Sequence, residues 1–446
     1  MLKKFVLPIR IGNARELLCP QVRSCNSLDG DVSMKCIMMA AGDGVRMKPL
    51  TNTRPKVMLQ VAGKPILYHL LLEAKKAGIT DAIIIVRYLK EQIVGYFKQK
   101  EQEIGMKLTF VEQGTKNGTA EAILTAEKYI TDTFVVLAGD IVTDASVIKK
   151  VIDGHNGSIT LAVKKVDHPH LYGVVELNKN GTVAIFQEKA EKPKSNLANL
   201  SIYCMEPTIF QEIRNIPKSP RGEYEIVDLF VGAKAVVVDG FWMDVGYPWH
   251  LFDANEHLLD KTEARTGDIE NSTINGKVIM EKGAKIIDSH VEGVAYVGEN
   301  TVIGPGAYVK GYTSIGNNCS VGGGTTIKNS ILFDDVNAKH LSYIGDSVIG
   351  SNVNFGSGTQ IANYRFDESH VNVLTEKGWT NSGRKKMGCI VGDNTKFGVL
   401  SCVMPGKLIG NECWISSGVI IGQNVEPDTH VFIKQELKFS KQKKED

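Results

Sequence analysis

Arg46 and Lys56 are the first residues from which a chemistry can be read. Arg46 ends the run Ala40-Ala41-Gly42-Asp43-Gly44-Val45-Arg46, and Lys56 follows in Arg54-Pro55-Lys56. Glycines let backbone N–H groups come close to an anion, and two nearby cations neutralise phosphate. Glycines alone would read as a plain turn; the Arg and the Pro-Lys at this spacing make the loop a phosphate cradle. Further on, Leu137-Ala138-Gly139-Asp140 ends an apolar run in a carboxylate, and Trp242-Met243-Asp244-Val245-Gly246 carries another. No protein nucleophile is evident. The chemistry that suits such a set is charge compensation and positioning of phosphorylated reactants.

The elements that must hold these residues alternate. Residues 36–40, 82–86, 107–111, 134–138 and 158–163 read as strands, with helices at 66–77, 90–99, 119–130 and 144–153 between them. That order predicts a parallel sheet with helices on both faces, binding ligands at the carboxyl ends of its strands. A helical linker is expected at 253–264. Beyond about residue 267 a six-residue period takes over: Val297, Ile303, Val309, Ile315, Val321 and Ile327, then Val391, Phe397, Val403, Ile409, Ile415 and Ile421. Each hexad supplies one short strand with its apolar residue inward, so three hexads make one coil of a β-helix. The period slips near 334–341 and stops at 363–388, a polar stretch with Arg365, Arg384, Lys385 and Lys386. A loop that interrupts a solenoid is more often functional than structural.

The loop 40–56 resembles the signature AGxGTRxxPLTxxxPK of the sugar-1-phosphate nucleotidyltransferases, with Val45 in place of the usual Thr. The resemblance covers about residues 34–265 and implies several roles. Ala41, Gly42, Gln113, Gly118 and Thr119 would bind the nucleotide. Gly173, Glu188, Lys189 and Asn199 would bind the sugar phosphate. Asp140 and Asp244 would hold Mg²⁺, with Arg46 and Lys56 steadying the pyrophosphate that leaves UTP or dTTP. Ser201 stands where a Gly is common.

Ala338-Lys339-His340-Leu341-Ser342-Tyr343-Ile344-Gly345-Asp346, then Gly350-Ser351-Asn352-Val353-Asn354, then Asn363-Tyr364, resemble the acetyltransferase half of bifunctional glucosamine-1-phosphate acetyltransferase/uridyltransferases. The interruption at 363–388 is longer than in typical bacterial members, and the whole is similar to archaeal bifunctional sugar-phosphate enzymes. By this resemblance the β-helix is left-handed, and three copies pair as a homotrimer or a dimer of trimers. An amine attacking a thioester must lose a proton, which suits His340 as general base. Lys310, Lys328, Tyr343 and Asn354 would bind the amino-sugar phosphate, Lys310 replacing an Arg. Asn363, Tyr364, Lys386 and Ser417 would bind acetyl-CoA.

The fold class expected is thus an α/β Rossmann-like nucleotidyltransferase domain followed by a left-handed parallel β-helix of hexapeptide repeats. Residues 34–265 and 266–436 form the two domains, and 437–446 a charged tail. Residues 1–33 read as an extension, disordered or preceding a true start at Met34. Met1-Leu2-Lys3-Lys4 resembles a signal peptide only faintly, because its apolar run stops at Arg10. A net charge of +2 gives no reason to expect nucleic acid or a membrane as partner, leaving small sugar phosphates and nucleotides. Eight scattered cysteines without CxxC spacing read as reduced cytoplasmic thiols. Two other readings compete: a monofunctional nucleotidyltransferase whose β-helix serves assembly or allostery, and a non-catalytic regulatory subunit. The presence of Arg46, Lys56, Asp140 and Asp244 together argues against the last.

Overall fold

The computed structural model describes residues 34–441, so the 1–33 extension and the end of the charged tail lie outside the described residues. Nine strands form the first sheet: β1 (Met34–Ala40), β2 (Ile79–Val86), β3 (Lys107–Glu112), β4 (Phe134–Ala138), β5 (Ile159–Lys165), β6 (Gly173–Leu177), β7 (Val183–Glu188), β8 (Leu197–Met205) and β9 (Lys234–Val237). Strands β4-β1-β2-β3 run parallel, as expected. The expectation of an all-parallel sheet fails beyond β4. β8 is antiparallel to β4 and to β5, and β6 is antiparallel to β7. For β6 and β7 the reason is chain length. A parallel pair needs a crossover of a dozen or more residues, whereas only a tight turn separates β6 from β7.

Helices α1 (Ile66–Lys76), α2 (Lys90–Ile104), α3 (Thr119–Thr125) and α4 (Ala145–Asp153) begin where the sequence puts them, and α2 runs on to Ile104, past the expected end at 99. The span 119–130 is not one helix, however. α3 stops at Thr125, and a 3₁₀ turn covers Glu127–Tyr129.

All twelve residues of the six-residue period are buried, and all share one apolar core. The solenoid around it has three faces of parallel strands. The first runs from Asp268–Glu270 through Asn337–Ala338 and Asn354–Phe355 to His430–Val431. The second includes Thr326–Lys328, Tyr343–Gly345 and Gln360–Ile361; the third includes Ile331–Leu332, Val348–Ile349 and Cys389–Val391. The slip has a simple form. From Ile327 the inward residues continue as Leu332, Ala338, Ile344, Ile349, Phe355 and Ile361, all buried, so two hexads have each lost a residue and the coil keeps turning. The polar interruption is then extruded from one corner as a hairpin of Asn372–Thr375 with Gly378–Asn381.

The helix expected as a linker is α5 (His250–Lys261), and it is no loose connection. Its Leu251, Phe252 and Leu258 share a core with Ile331, Phe333, Val348 and Ile390 of the solenoid's third face, and with Val371 and Val373 of the extruded hairpin region. Asn255, buried in α5, accepts from the Ala62 N–H and from the Ser314 hydroxyl. Among the described residues, no helix is long and apolar enough to cross a membrane.

Candidate active sites

The first site forms where the phosphate loop leaves β1. Gly44 has φ +67°, and a Cβ there would lie 2.9 Å from Thr51 Cγ2 and 3.0 Å from Lys56 Cβ. Only glycine lets the loop cross the Lys56 segment so closely. Asp140 and Asp244 meet by a short antiparallel ladder, in which Ile141 pairs with Asp244 and Thr143 with Trp242. The Val245 N–H also donates to the Asp140 carbonyl at 3.1 Å. The Lys56 ammonium stands between the two carboxylates, bonded to Asp140 Oδ2 and 3.8 Å from Asp244 Oδ1. Burial alone would push the Asp140 carboxyl up, and the Lys56 ammonium outweighs it, holding the group below the ordinary carboxylate range. Arg46 lies alongside: a Cβ at Gly246 would be 3.2 Å from Asp244 Oδ2 and 3.5 Å from Arg46 Nη1.

Two clefts open from this point. One of about 240 Å³ is lined by Gly42, Gly44, Arg46, Lys56 and Asp140. The other, of about 330 Å³, is lined by Thr119, Gly173, Glu188, Lys189, Asn199, Asp140 and Asp244. Arg46 and Asp140 belong to both. Asn199 reaches the second cleft through a bulge, since five residues of β8 (199–203) lie opposite only three of β5 (161–163). Ser201 within that bulge has φ +56°, the left-handed conformation that favours glycine. Gln113 and Gly118 line neither cleft. The Gln113 carboxamide donates to the Lys116 and Gly118 carbonyls, and Gly118 lies against the Tyr224 backbone. Ala41 is buried behind the loop.

The second cleft also contains residues the motifs did not single out: Arg221, Glu223 and Glu225. Arg221 Nε donates to Glu225 Oε1 at 3.1 Å, and its Nη1 is 3.8 Å from Glu188. Their signal was present as the turn Ser219-Pro220-Arg221-Gly222-Glu223, which carries charge on a tight loop.

The second candidate site lies on the solenoid. Tyr343, Asn363, Asp346 and Lys328 gather on and beside its second face. Asn363 Nδ2 donates to the Tyr343 hydroxyl at 3.1 Å and to Asp346, and Lys328 is 3.8 Å from Asp346. Burial raises the Tyr343 phenol. Lys310 is one coil back, facing Glu292 at 3.0 Å. His340 is exposed at the corner between the first and second faces. Among the described residues, no hydrogen bond joins its ring to Tyr343, Asn354 or Asn363. Asn354 is exposed on the first face, next to Asn337 of the preceding coil. Tyr364 pairs with Lys386, whose ammonium lies 5.9 Å from its ring centroid. Ser417 occupies the same corner as His340, three coils further along. Of the other basic residues in the interruption, Arg384 bonds Asp253 of α5 at 2.7 Å, which makes it a docking contact.

Residues 35–261 match the nucleotidyl transferase family, and residues 291–403 match the GMPPB C-terminal domain. The bifunctional protein GlmU of Methanocaldococcus jannaschii is 40% identical over 92% of this chain and 100% of its own length. The bifunctional sugar-1-phosphate nucleotidylyltransferase/acetyltransferase of Sulfurisphaera tokodaii is 34% identical over 88% of this chain and 98% of its own. Both alignments run through both halves. The chain belongs to the family of bifunctional sugar-1-phosphate nucleotidyltransferase/acetyltransferases. It is therefore an enzyme, a transferase with an α/β nucleotidyltransferase half and a β-helical half.

Membership in that family implies a divalent cation, and the first site suits one. Two hard carboxylate oxygens converge on one point, and a cationic group, the Lys56 ammonium, already occupies the space between them. No cluster of three or more His, Cys, Asp or Glu ligands exists among the described residues. Two carboxylates completed by substrate phosphates would suit a hard cation such as Mg²⁺.

Proposed function

We propose that the paired clefts transfer a nucleotidyl group from UTP or dTTP to a sugar 1-phosphate, N-acetylglucosamine 1-phosphate or glucose 1-phosphate, with release of pyrophosphate. The observation that carries this reading is the Lys56 ammonium between Asp140 and Asp244 at the junction of the two clefts. The 240 Å³ cleft takes the triphosphate and the 330 Å³ cleft takes the sugar. Two anionic reactants must then meet at that junction. Mg²⁺ bound by Asp140 and Asp244 would neutralise and align phosphate oxygens. Arg46 faces both clefts, so its guanidinium can follow the charge that moves onto the leaving pyrophosphate. Glu188, Lys189 and Asn199 orient the sugar, and Gly173, lying close against Phe186 and Glu188, lines the same cleft.

The β-helical half transfers an acetyl group from acetyl-CoA to the amine of glucosamine 1-phosphate or a related amino-sugar phosphate. His340 takes the proton from the attacking amine. Lys328 and Lys310 hold the phosphate, and Tyr343 and Asn354 hold the sugar. Asn363, Tyr364, Lys386 and Ser417 contact the acetyl donor. We further propose that three copies assemble along the His340 corner. Leu341, Val399, Leu400 and Ile420 are exposed there, and a strip of apolar side chains along one solenoid edge suits a like surface. The cytoplasm fits the six cysteines among the described residues, all free thiols.

The test is a substrate matrix: pyrophosphate release with Mg²⁺, UTP or dTTP and a hexose 1-phosphate panel, beside thiol release from acetyl-CoA with amino-sugar phosphates. Activity in both assays is expected. His340→Ala should abolish thiol release and leave pyrophosphate release intact. Unchanged acetyl transfer in that variant would remove His340 from its role. No turnover with any triphosphate would end the first half of the reading.

A further inference from the structure

The segment carrying Lys56 leans on the solenoid at four successive corners. Each turn leaving the third face presents one polar side chain: Asp334, Ser351, Asp393 and Asn411. In that order they meet residues 60, 54, 53–54 and 52 of the α/β half. Gln60 donates to Asp334 Oδ2 at 3.0 Å, Arg54 reaches Ser351 Oγ at 3.2 Å, and Thr53 donates to Asp393 Oδ2 at 2.7 Å. Arg54 also pairs with Asp393, and the Asn52 and Asn411 carboxamides are 2.9 Å apart. Four corners at strand spacing span about 14 Å, so the contact is a rail and not a point.

The two acidic corners are fixed before they reach across. Asp334 Oδ1 accepts from the Asn317 N–H at 2.7 Å, and Asp393 Oδ1 accepts from the Ser351 N–H at 2.8 Å. Each carboxylate therefore has one oxygen anchored in the solenoid and one free for the α/β half. The Arg54–Asp393 pair is well shielded, with side chains 14% and 10% exposed, and the guanidinium lies 4.8 Å from the Phe333 ring centroid. Lys56 is two residues past Arg54. From the opposite side, Tyr88 and Gln92 hold the Thr51 and Thr53 carbonyls.

We propose that Asp393, acting through Arg54, is a positioning residue for nucleotidyl transfer: the solenoid supplies one wall of the clamp that aims Lys56 at the metal carboxylates. The nucleotidyltransferase half would then depend on the solenoid for geometry as well as for attachment. This rests on the proposed role of Lys56.

The test uses the full chain with Asp393→Asn, which keeps the Ser351 bond and drops the charge, and Arg54→Lys, which keeps the charge and loses the fork. Asp393→Asn should lower kcat of pyrophosphate release about 10–100-fold, the scale of a misplaced catalytic group. KM for the triphosphate and acetyl transfer should stay near the parent values while the melting midpoint falls, because Arg54 is left shielded without its anion, and Arg54→Lys should fall in between. If Asp393→Asn does not fold, Phe333→Leu loosens the guanidinium while keeping apolar bulk, and should still lower kcat several-fold. Parental kcat in the folded variants overturns the inference. So does a parallel fall in both activities and in melting midpoint, which would mark a plain stability contact. Absence of pyrophosphate release in the unsubstituted protein counts instead against the functional reading.

Discussion

Lys56→Ala removes a cation that pairs with both carboxylates of the first site. Its ammonium stands 3.8 Å from Asp244 Oδ1 and in contact with Asp140. At such a distance, and at an effective dielectric of ~20, two unit charges interact by about 4 kcal/mol. A phosphate drawn to the same spot would feel an interaction of that size. Part of it already acts on the bound, anionic ground state, so only the remainder accelerates the reaction. A loss of about 2–4 kcal/mol in the transition state corresponds to a fall in kcat of roughly 30- to 1000-fold. Lys56→Arg should lose less, since it retains the charge. The assay is steady-state pyrophosphate release at saturating Mg²⁺, with kcat and KM separated. A melting curve is needed as well, because the variant leaves Asp140 buried without its cation. A Lys56→Ala enzyme that folds normally and keeps kcat within about threefold of the parent would refute the electrostatic reasoning.

Three other outcomes are expected. Burial pushes the His69 imidazole down to about 4, with its Nε2 at 2.8 Å from the Val61 carbonyl. Since the unfolded chain takes up that proton below ~6.5, stability should be complete above pH 6.5 and decline toward pH 4, by about 2 kcal/mol after discounting for partial exposure. His69→Gln should flatten that slope in urea titrations across the window, and an unchanged slope would assign it to other groups. Ser201→Gly should stabilise the protein by about 0.5–1 kcal/mol, because glycine adopts the left-handed φ without strain; a lower denaturation midpoint would contradict this. Ile327→Ala empties a fully buried position in the solenoid core. It should cost about 2–5 kcal/mol by chemical denaturation, and a cost under ~1 would mean that the coil collapses around the gap.

What could be read from the sequence was what repeats or lies close along the chain. The phosphate loop with Arg46, the Pro-Lys after it, and the six-residue apolar period are local patterns, because a turn and a strand face are each set by neighbouring residues. Even the one-residue slips show how local that information is. The inward face resumes at Leu332 and again at Ile349 as soon as the next hexad begins. The tertiary structure alone decided what depends on distant segments. Asp140 and Asp244 are 104 positions apart in the chain and meet only because Ile141 pairs with Asp244. Strands β6 and β7 turned antiparallel because their connection is too short for a crossover. The polar interruption was expected to be functional; its Arg384 and its buried valines pack against α5. Nothing in the order of residues announced that Arg54 would close on Asp393, 339 positions away. Such a pairing is set by how two folded surfaces fit, and a surface does not exist until both halves have formed.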